Sequence, residues 1–175
     1  SNMQTPPDGN APSGNPPTMP GQDASDSTTT DDTTDKQPVL LITGGKITVN
    51  ADGDGLDSNG NLRVEGGDIT VNGPSNGGNG ALDIGTENGG AGFISGGTLI
   101  ALGASSMAEN FGSTSTQCAF LVTMNSFGAG ETITITDSQG TVLYTGVTVK
   151  SANSVVFSSG DLVVGETYTG TIGAN

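Results

Sequence analysis

One phrase occurs three times in the chain: GGKITVN at residues 44–50, GGDITVN at 66–72 and GGTLIAL at 96–102. Each copy is a glycine pair followed by a short strand pattern, and in the first two copies apolar and polar residues alternate. The copies begin 22 and then 30 residues apart. A unit of this size cannot bury its own apolar face, so successive units must stack on one another. The period therefore predicts a β-solenoid.

Two shorter phrases recur in step with the first. Residues 55–58 follow the first strand as residues 80–83 follow the second, and each coil closes on a third strand pattern, at 61–65 and then at 91–95. Three strands per coil predict the three faces of a parallel β-helix, a single-stranded solenoid with thin stacked layers. The residues expected to point inward are Ile47, Val49, Leu56, Leu62 and Val64, with Ile69, Val71, Leu82, Phe93 and Ile94 stacked on or near them in the next layer.

The phrase is lost after residue 108. A loop pattern at 109–117 is followed by several strand patterns separated by Gly and Asn. We expect residues 119–175 to form a β cap on the last coil, with the strand at 119–124 in the closing-face position.

Residues 1–38 differ in composition from the rest of the chain. Pro, Gly, Ser, Thr, Asn and Asp dominate there, and large apolar residues are rare. Such a segment cannot bury enough surface to offset its conformational entropy, which predicts a disordered linker that begins with a tag scar. The folded domain is expected over 39–175. Because it begins in mid-coil, its first coil would present unpaired strand edges, which predicts self-association or docking of further N-terminal coils.

The charge balance excludes several partners. The chain has 18 Asp and Glu against 4 Lys and Arg, a net charge of −14. Nucleic acids and anionic membrane surfaces carry the same sign, so neither is an expected partner. No apolar stretch approaches the ~20 residues of a membrane-spanning helix. The balance instead favours cations, or polymers bridged by cations.

An acidic run follows the first strand phrase. Oxygen-bearing side chains alternate with small residues from position 50 onward. Ca²⁺ takes about six to eight oxygen ligands, and neighbouring strands lie about 4.8 Å apart, so two carboxylates in adjacent layers can share one hard cation. We predict a calcium site formed by Asn50, Asp52, Asp54 and Asp57 of the first coil with Asn79 and Asp83 of the second.

Stacking in register would place Asp57 over Asp83, and Asp54 near Asn79. The alternative is that all these residues are solvated turn formers, because Asp, Asn and Gly dominate turns in any protein. An EF-hand is excluded, since Asn61 stands where the final glutamate ligand belongs. Four other acids are expected to be ordinary surface charges: Glu65, Asp68, Glu87 and Glu109.

Residues 44–60, 72–83 and 96–101, with shorter matches in the tail at 137–140 and 158–168, resemble the bacterial secreted carbohydrate-binding domain-containing family. The resemblance covers about residues 40–170. It implies a right-handed parallel β-helix related in fold to pectate lyases. It also implies calcium binding, and binding rather than cleavage of plant cell-wall polysaccharide, including acidic pectin-type polymers such as polygalacturonate.

The leading hypothesis is therefore an extracellular, non-catalytic, calcium-dependent polysaccharide-binding module. Few aromatic residues argue against stacking platforms for neutral sugars, whereas uronic acid carboxylates can complete a calcium shell. We expect Asp57, Asp83 and the outward-facing Arg63 to contact ligand. The alternatives are a surface spacer or adhesin scaffold with structural calcium and, less favoured because the chain has no His and no catalytic motif, a polysaccharide lyase.

Overall fold

The computed structural model describes residues 37–174, and it gives no side-chain account of residue 174. This part of the chain is all-β, with thirteen strands and two single turns of 3-10 helix, at Thr86–Asn88 and Ser105–Met107. No helix within residues 37–174 is long and apolar enough to span a membrane. The predicted disordered linker, 1–38, lies outside the described residues except for its last two positions.

The first eight strands form a repeat region. They pair in parallel as three ladders, β1-β4-β7, β2-β5-β8 and β3-β6, so that successive repeats add neighbouring strands to the same ladder. None of the sheets is closed. The strands are Val39–Ile42 (β1), Lys46–Asn50 (β2), Leu56–Asp57 (β3), Asn61–Val64 (β4), Asp68–Asn72 (β5), Leu82–Asp83 (β6), Gly92–Ile94 (β7) and Thr98–Gly103 (β8).

The register of the ladders matches the repeated phrases. Ile47 pairs with Ile69, which pairs with Leu99, and Leu56 pairs with Leu82. The predicted stacking of equivalent residues is therefore confirmed. The core that it creates is aliphatic, and seven of the ten predicted inward residues are buried. Ile47 and Val49 of the first repeat are only partly buried, because no strand within residues 37–174 pairs with the outer edge of β2.

The prediction was wrong for Phe93. It pairs with Arg63 on β4, and both side chains point away from the core, because Leu62 and Gly92 occupy the inward positions of that ladder. A phenylalanine one position earlier would not fit the thin core, because a Cβ added at Gly92 would already lie 2.6 Å from the Ile84 side chain and 3.3 Å from Phe111. Gly92 instead makes room for Phe111 at the end of the repeat core.

The last five strands form the C-terminal region: Ala119–Phe127 (β9), Glu131–Thr136 (β10), Val142–Val147 (β11), Ala152–Ser158 (β12) and Thr169–Ala174 (β13). Strand β12 pairs antiparallel with β8, and β9 pairs antiparallel with β12, so the ladder grows to five strands in the order β2-β5-β8-β12-β9. Strands β11-β10-β13 form a separate antiparallel sheet that packs over it. The prediction that β-structure packs on the last repeat is thus confirmed, through the pairing of β12 with β8.

The placement of β9 corrects one prediction. It does not lie in the closing face beside β7 but at the edge of the five-stranded sheet. The reason is that both of its faces carry apolar residues: Leu121 packs on the repeat core and Phe120 on the second core. The edge position thus gives partial cover to both faces at the start of β9, while Val122 and Met124 further along remain exposed.

The glycine pairs hold the coils close together. Gly67 has φ +111°, in the left-handed region that favours glycine, and Gly45 and Gly97 share this conformation. Gly66 needs glycine for a different reason, because a Cβ there would meet the carbonyl oxygen of Thr43 at 2.7 Å. The layers therefore stack with backbone against backbone at this corner.

Candidate functional site

The short β3-β6 ladder brings two predicted ligands together. Asp57 is the direct ladder partner of Asp83, as predicted from the stacking. Their inward neighbours Leu56 and Leu82 are buried, so the two carboxylates lie on the outer face of this ladder. Adjacent strands are about 4.8 Å apart, so two negative charges are held at short range. We call this arrangement the carboxylate pair.

Local turn geometry fixes the first member of the carboxylate pair. Asp57 Oδ1 accepts hydrogen bonds from the backbone N–H and the side-chain amide of Asn59, at 3.1 and 3.0 Å. Asn59 has φ +47°, which Asn tolerates better than most residues. One carboxylate oxygen of Asp57 is thus engaged in the turn, and Oδ2 accepts no hydrogen bond from residues 37–174.

Asp54 lies at the same corner and bridges the coils. Its Oδ1 accepts a hydrogen bond from the Gly80 N–H at 2.7 Å. The Asn79 side-chain amide, with its nitrogen facing the carboxylate, lies 3.2 Å from Asp54 Oδ2. The predicted proximity of Asp54 and Asn79 is therefore confirmed, and both oxygens of Asp54 contribute to holding one coil on the next.

Several negatively charged side chains lie close together at this corner. Partial burial, followed by the negative charges of Asp54, Asp57, Glu109 and Glu87, raises the pKa of Asp83 above its ordinary value. No ion pair within residues 37–174 involves Asp54, Asp57 or Asp83. A cation beside the carboxylate pair would relieve this repulsion.

Two predicted ligands are not part of this corner. The Asp52 carboxylate pairs with Lys150 at 2.7 Å, and Lys150 Nζ also donates to the Ala51 carbonyl at 2.6 Å. The hydrogen bond and the positive charge of Lys150 hold the pKa of Asp52 below its ordinary value. Asn50 is exposed at the end of β2, where it pairs with Asn72 rather than with the acids.

The donor set fits a calcium ion in part. Across residues 37–174 no three His, Cys, Asp or Glu side chains gather into one metal-ligand cluster. The carboxylate pair offers two charged ligands on adjacent strands, and Asp57 Oδ2 is available. Calcium accepts carbonyl oxygens and waters for the remaining positions, so two carboxylates can anchor it.

A model of the carbohydrate-binding domain-containing protein family matches residues 13–170. The chain belongs to this family. No curated protein and no solved structure matches the chain. Membership of a carbohydrate-binding family supports a polysaccharide as the binding partner.

Sequence reasoning missed one residue near the carboxylate pair of this carbohydrate-binding domain. Glu109, expected to be an ordinary surface charge, accepts hydrogen bonds from the Ile84 N–H and, at 2.6 Å, from the Thr86 hydroxyl. It thereby stabilises the chain just after β6, beside Asp83. No phrase repeats around Glu109, so the repeat pattern carried no signal for this contact.

Arg63 faces outward from the carbohydrate-binding domain, as predicted. Its guanidinium carbon lies 5.1 Å from the centroid of the Phe93 ring, and the side chain is exposed. Phe93 was expected in the core, so this contact was also missed. The signal existed in the sequence, because aligning 61–64 with 91–94 places Phe93 opposite Arg63.

Proposed function

We propose that this domain is a non-catalytic, calcium-dependent module that binds acidic polysaccharide of the pectin type outside the bacterial cell. The observation that carries the proposal is the carboxylate pair, Asp57 beside Asp83, which lacks a cationic partner among residues 37–174 in a chain of a carbohydrate-binding family. A polysaccharide rich in uronic acids is the ligand class that a bound calcium ion suits best.

The chemistry divides between the ion and the protein. Calcium, when bound, accepts oxygen ligands from a uronate and so bridges two negative partners. Asp57 and Asp83 hold the positive charge at the outer face of the β3-β6 ladder. Asp54 fixes the corner through its bonds to the next coil, and Asn79 supports it. The proposed ligand set leaves out Asp52, which pairs with Lys150, and Asn50, which pairs with Asn72.

The fold that goes with this function is a right-handed parallel β-helix. The three parallel ladders would be its three faces, and the C-terminal sheets its cap. The domain itself would span residues 39–175. The repeat spacing and the in-register ladders support this proposal.

The first coil would dock a further coil of the same geometry. Glycine at 66 is needed because the carbonyl of Thr43 lies above it, whereas a Cβ at the equivalent Gly44 would meet nothing within 4 Å. Glycine at position 44 is thus explained by a further layer stacked on it. Sedimentation at high concentration tests this docking: a concentration-dependent dimer would support a second copy as the occupant, and a strict monomer would contradict self-association through the first coil.

One alternative function has an observation in its favour. The oxygens of Asp54 already bond the next coil, and Asp52 is already paired. These acids could therefore serve a surface scaffold or adhesin in which calcium only holds the turns. A lyase is disfavoured because the chain offers no His, and its activity would appear as an unsaturated product absorbing in the ultraviolet.

Thermal unfolding with calcium, and then with polygalacturonate, tests the proposal. Calcium binds the folded state only, so mass action predicts about 2.7 kcal/mol of stabilisation at a hundredfold excess over Kd. Tm should rise with calcium and fall with chelator, and magnesium should substitute poorly. Asp57→Ala should blunt this response, and the exposed Glu166→Ala should not.

Two outcomes would contradict the proposal. A Tm unaffected by calcium in wild type, with Asp57→Ala equal to Glu166→Ala, would leave the acids as turn formers. A calcium response without any calcium-dependent binding of polygalacturonate would favour the scaffold.

A further inference from the structure

Arg63 stands in the middle of an outward-facing row on the β1-β4-β7 ladder. Its neighbours across the strands are Leu41, half exposed at 50%, and Phe93. The guanidinium carbon lies 5.1 Å from the Phe93 ring centroid. A guanidinium over an aromatic face is held in place by the ring and keeps N–H donors free for other partners. The row thus presents a positioned cation between two apolar side chains.

This cation is unusual in so acidic a chain. The other two basic residues between 37 and 174 are neutralised, Lys46 by Asp68 at 3.5 Å and Lys150 by Asp52 at 2.7 Å. Arg63 forms no ion pair within that part of the chain, although Glu65 follows two residues later. In a protein with a net charge of −14, an arginine that stacks on a ring and leaves its charge unpaired is available to an external anion.

We propose that Arg63, positioned by Phe93, binds the carboxylate of a uronic acid residue of the polysaccharide. The inference rests on the proposed function and deepens it, because it adds a direct, calcium-independent contact to the carboxylate pair. The planar guanidinium can donate two parallel hydrogen bonds to one carboxylate, which Lys cannot. The apolar neighbours Leu41 and Phe93 would lie on either side of this contact. Arg63 would touch the ligand, and Phe93 is a positioning residue.

The test is calorimetric titration of the whole chain, in saturating calcium, with trigalacturonate and with its methyl ester. The ester keeps the sugar ring and removes the carboxylate charge. Arg63→Met should raise the Kd for the acid about tenfold and leave the Kd for the ester unchanged. Arg63→Lys and Phe93→Leu should each give a Kd for the acid between those of wild type and Arg63→Met. Each should also leave the Kd for the ester unchanged. Lys46→Met, an exposed lysine already paired, is the matched control and should bind as wild type.

The outcomes separate this inference from the function on which it rests. An equal loss of acid and ester binding in Arg63→Met, or a loss no larger than in Lys46→Met, would refute the Arg63 contact and leave calcium-dependent binding standing. A wild type that binds neither oligosaccharide would refute both. The calcium-dependent rise in Tm should be the same in Arg63→Met as in wild type, which shows that the variant is folded.

Discussion

The repeat region and the C-terminal region build their cores in different ways. The repeat core is a stack of aliphatic residues, one thin layer upon the next, with Phe111 only at its end. The C-terminal core lies between two facing sheets and combines aliphatic residues with a cluster of aromatic rings. Phe157 packs against Phe120 and Tyr144 there, at centroid distances of 5.7 and 6.0 Å. In the stacked repeats, the close approach of neighbouring backbones limits which residues fit. Between the facing sheets, the volume of the side chains sets that limit.

The largest expected effect comes from a substitution in the C-terminal core. Phe157 is fully buried at the contact of both sheets, so Phe157→Ala should lower the free energy of unfolding by about 3–5 kcal/mol. Urea denaturation measures this. Val164→Ala, at a side chain that is 87% exposed, is the control and should change stability by less than about 0.5 kcal/mol. Equal effects would mean that the aromatic contacts do not hold the cap.

The next effect tests backbone approach in the repeat region. Gly66→Ala should cost about 1–3 kcal/mol, because the new Cβ would lie 2.7 Å from the Thr43 carbonyl oxygen. Gly44→Ala is the matched control in the same phrase, with nothing within 4 Å of its Cβ. It should leave the stability of this chain within about 0.5 kcal/mol of wild type. A similar cost at both positions would show that the glycines act through chain flexibility rather than through stacking.

A third substitution weakens the link between the two regions. Lys150 follows β11 and donates to the Ala51 carbonyl in the first coil, so Lys150→Met should cost about 1 kcal/mol, the contribution of one such hydrogen bond. Lys46→Met removes a fully solvated ion pair and should cost less. Lys150→Met also returns the pKa of Asp52 toward its ordinary value. Nuclear magnetic resonance titration of Asp52 would detect that shift, and an unchanged pKa would contradict the assigned cause.

The smallest effect concerns pH at the carboxylate pair. Asp83 has a raised pKa in the folded state, so the folded state binds its proton more tightly than the unfolded state does. The stabilisation from this group is therefore fully present below its ordinary pKa of 3.8 and is lost as the pH rises through the folded-state value. In chelator at pH 7, Asp83→Asn should melt slightly above wild type, and the difference should shrink as the pH falls toward 4.

Glu166→Gln is the control for the pH series, since no charged neighbour among residues 37–174 pairs with Glu166. Calcium should reverse the order, because it favours ionised Asp83 and cannot bind the amide as well. A difference between Asp83→Asn and wild type that stays constant from pH 7 to pH 4 would contradict the assigned repulsion.

The sequence predicted most of the contacts that the repeats encode locally, with Phe93 as the exception. Asp57 beside Asp83 follows from two matching phrases, because parallel ladders carry equal offsets into neighbouring positions. Contacts between distant elements were not predictable in this way. Lys150 reaches Asp52 across 98 residues, and β9 joins the sheet through β12, which in turn pairs with β8. No local pattern encodes such contacts, since they depend on how two differently built regions pack.

The C-terminal region joins the repeat region through the antiparallel pairing of β12 with β8. This contact does not depend on how many repeats precede β8. Duplication of a whole repeat between residues 44 and 102 would lengthen the three ladders and leave the β8-β12 contact unchanged. Each added repeat that kept the Leu-Asp phrase would extend the row of carboxylates by one. The number of repeats, and with it the length of the carboxylate row, is therefore a quantity that gene duplication can set without redesigning the end of the domain.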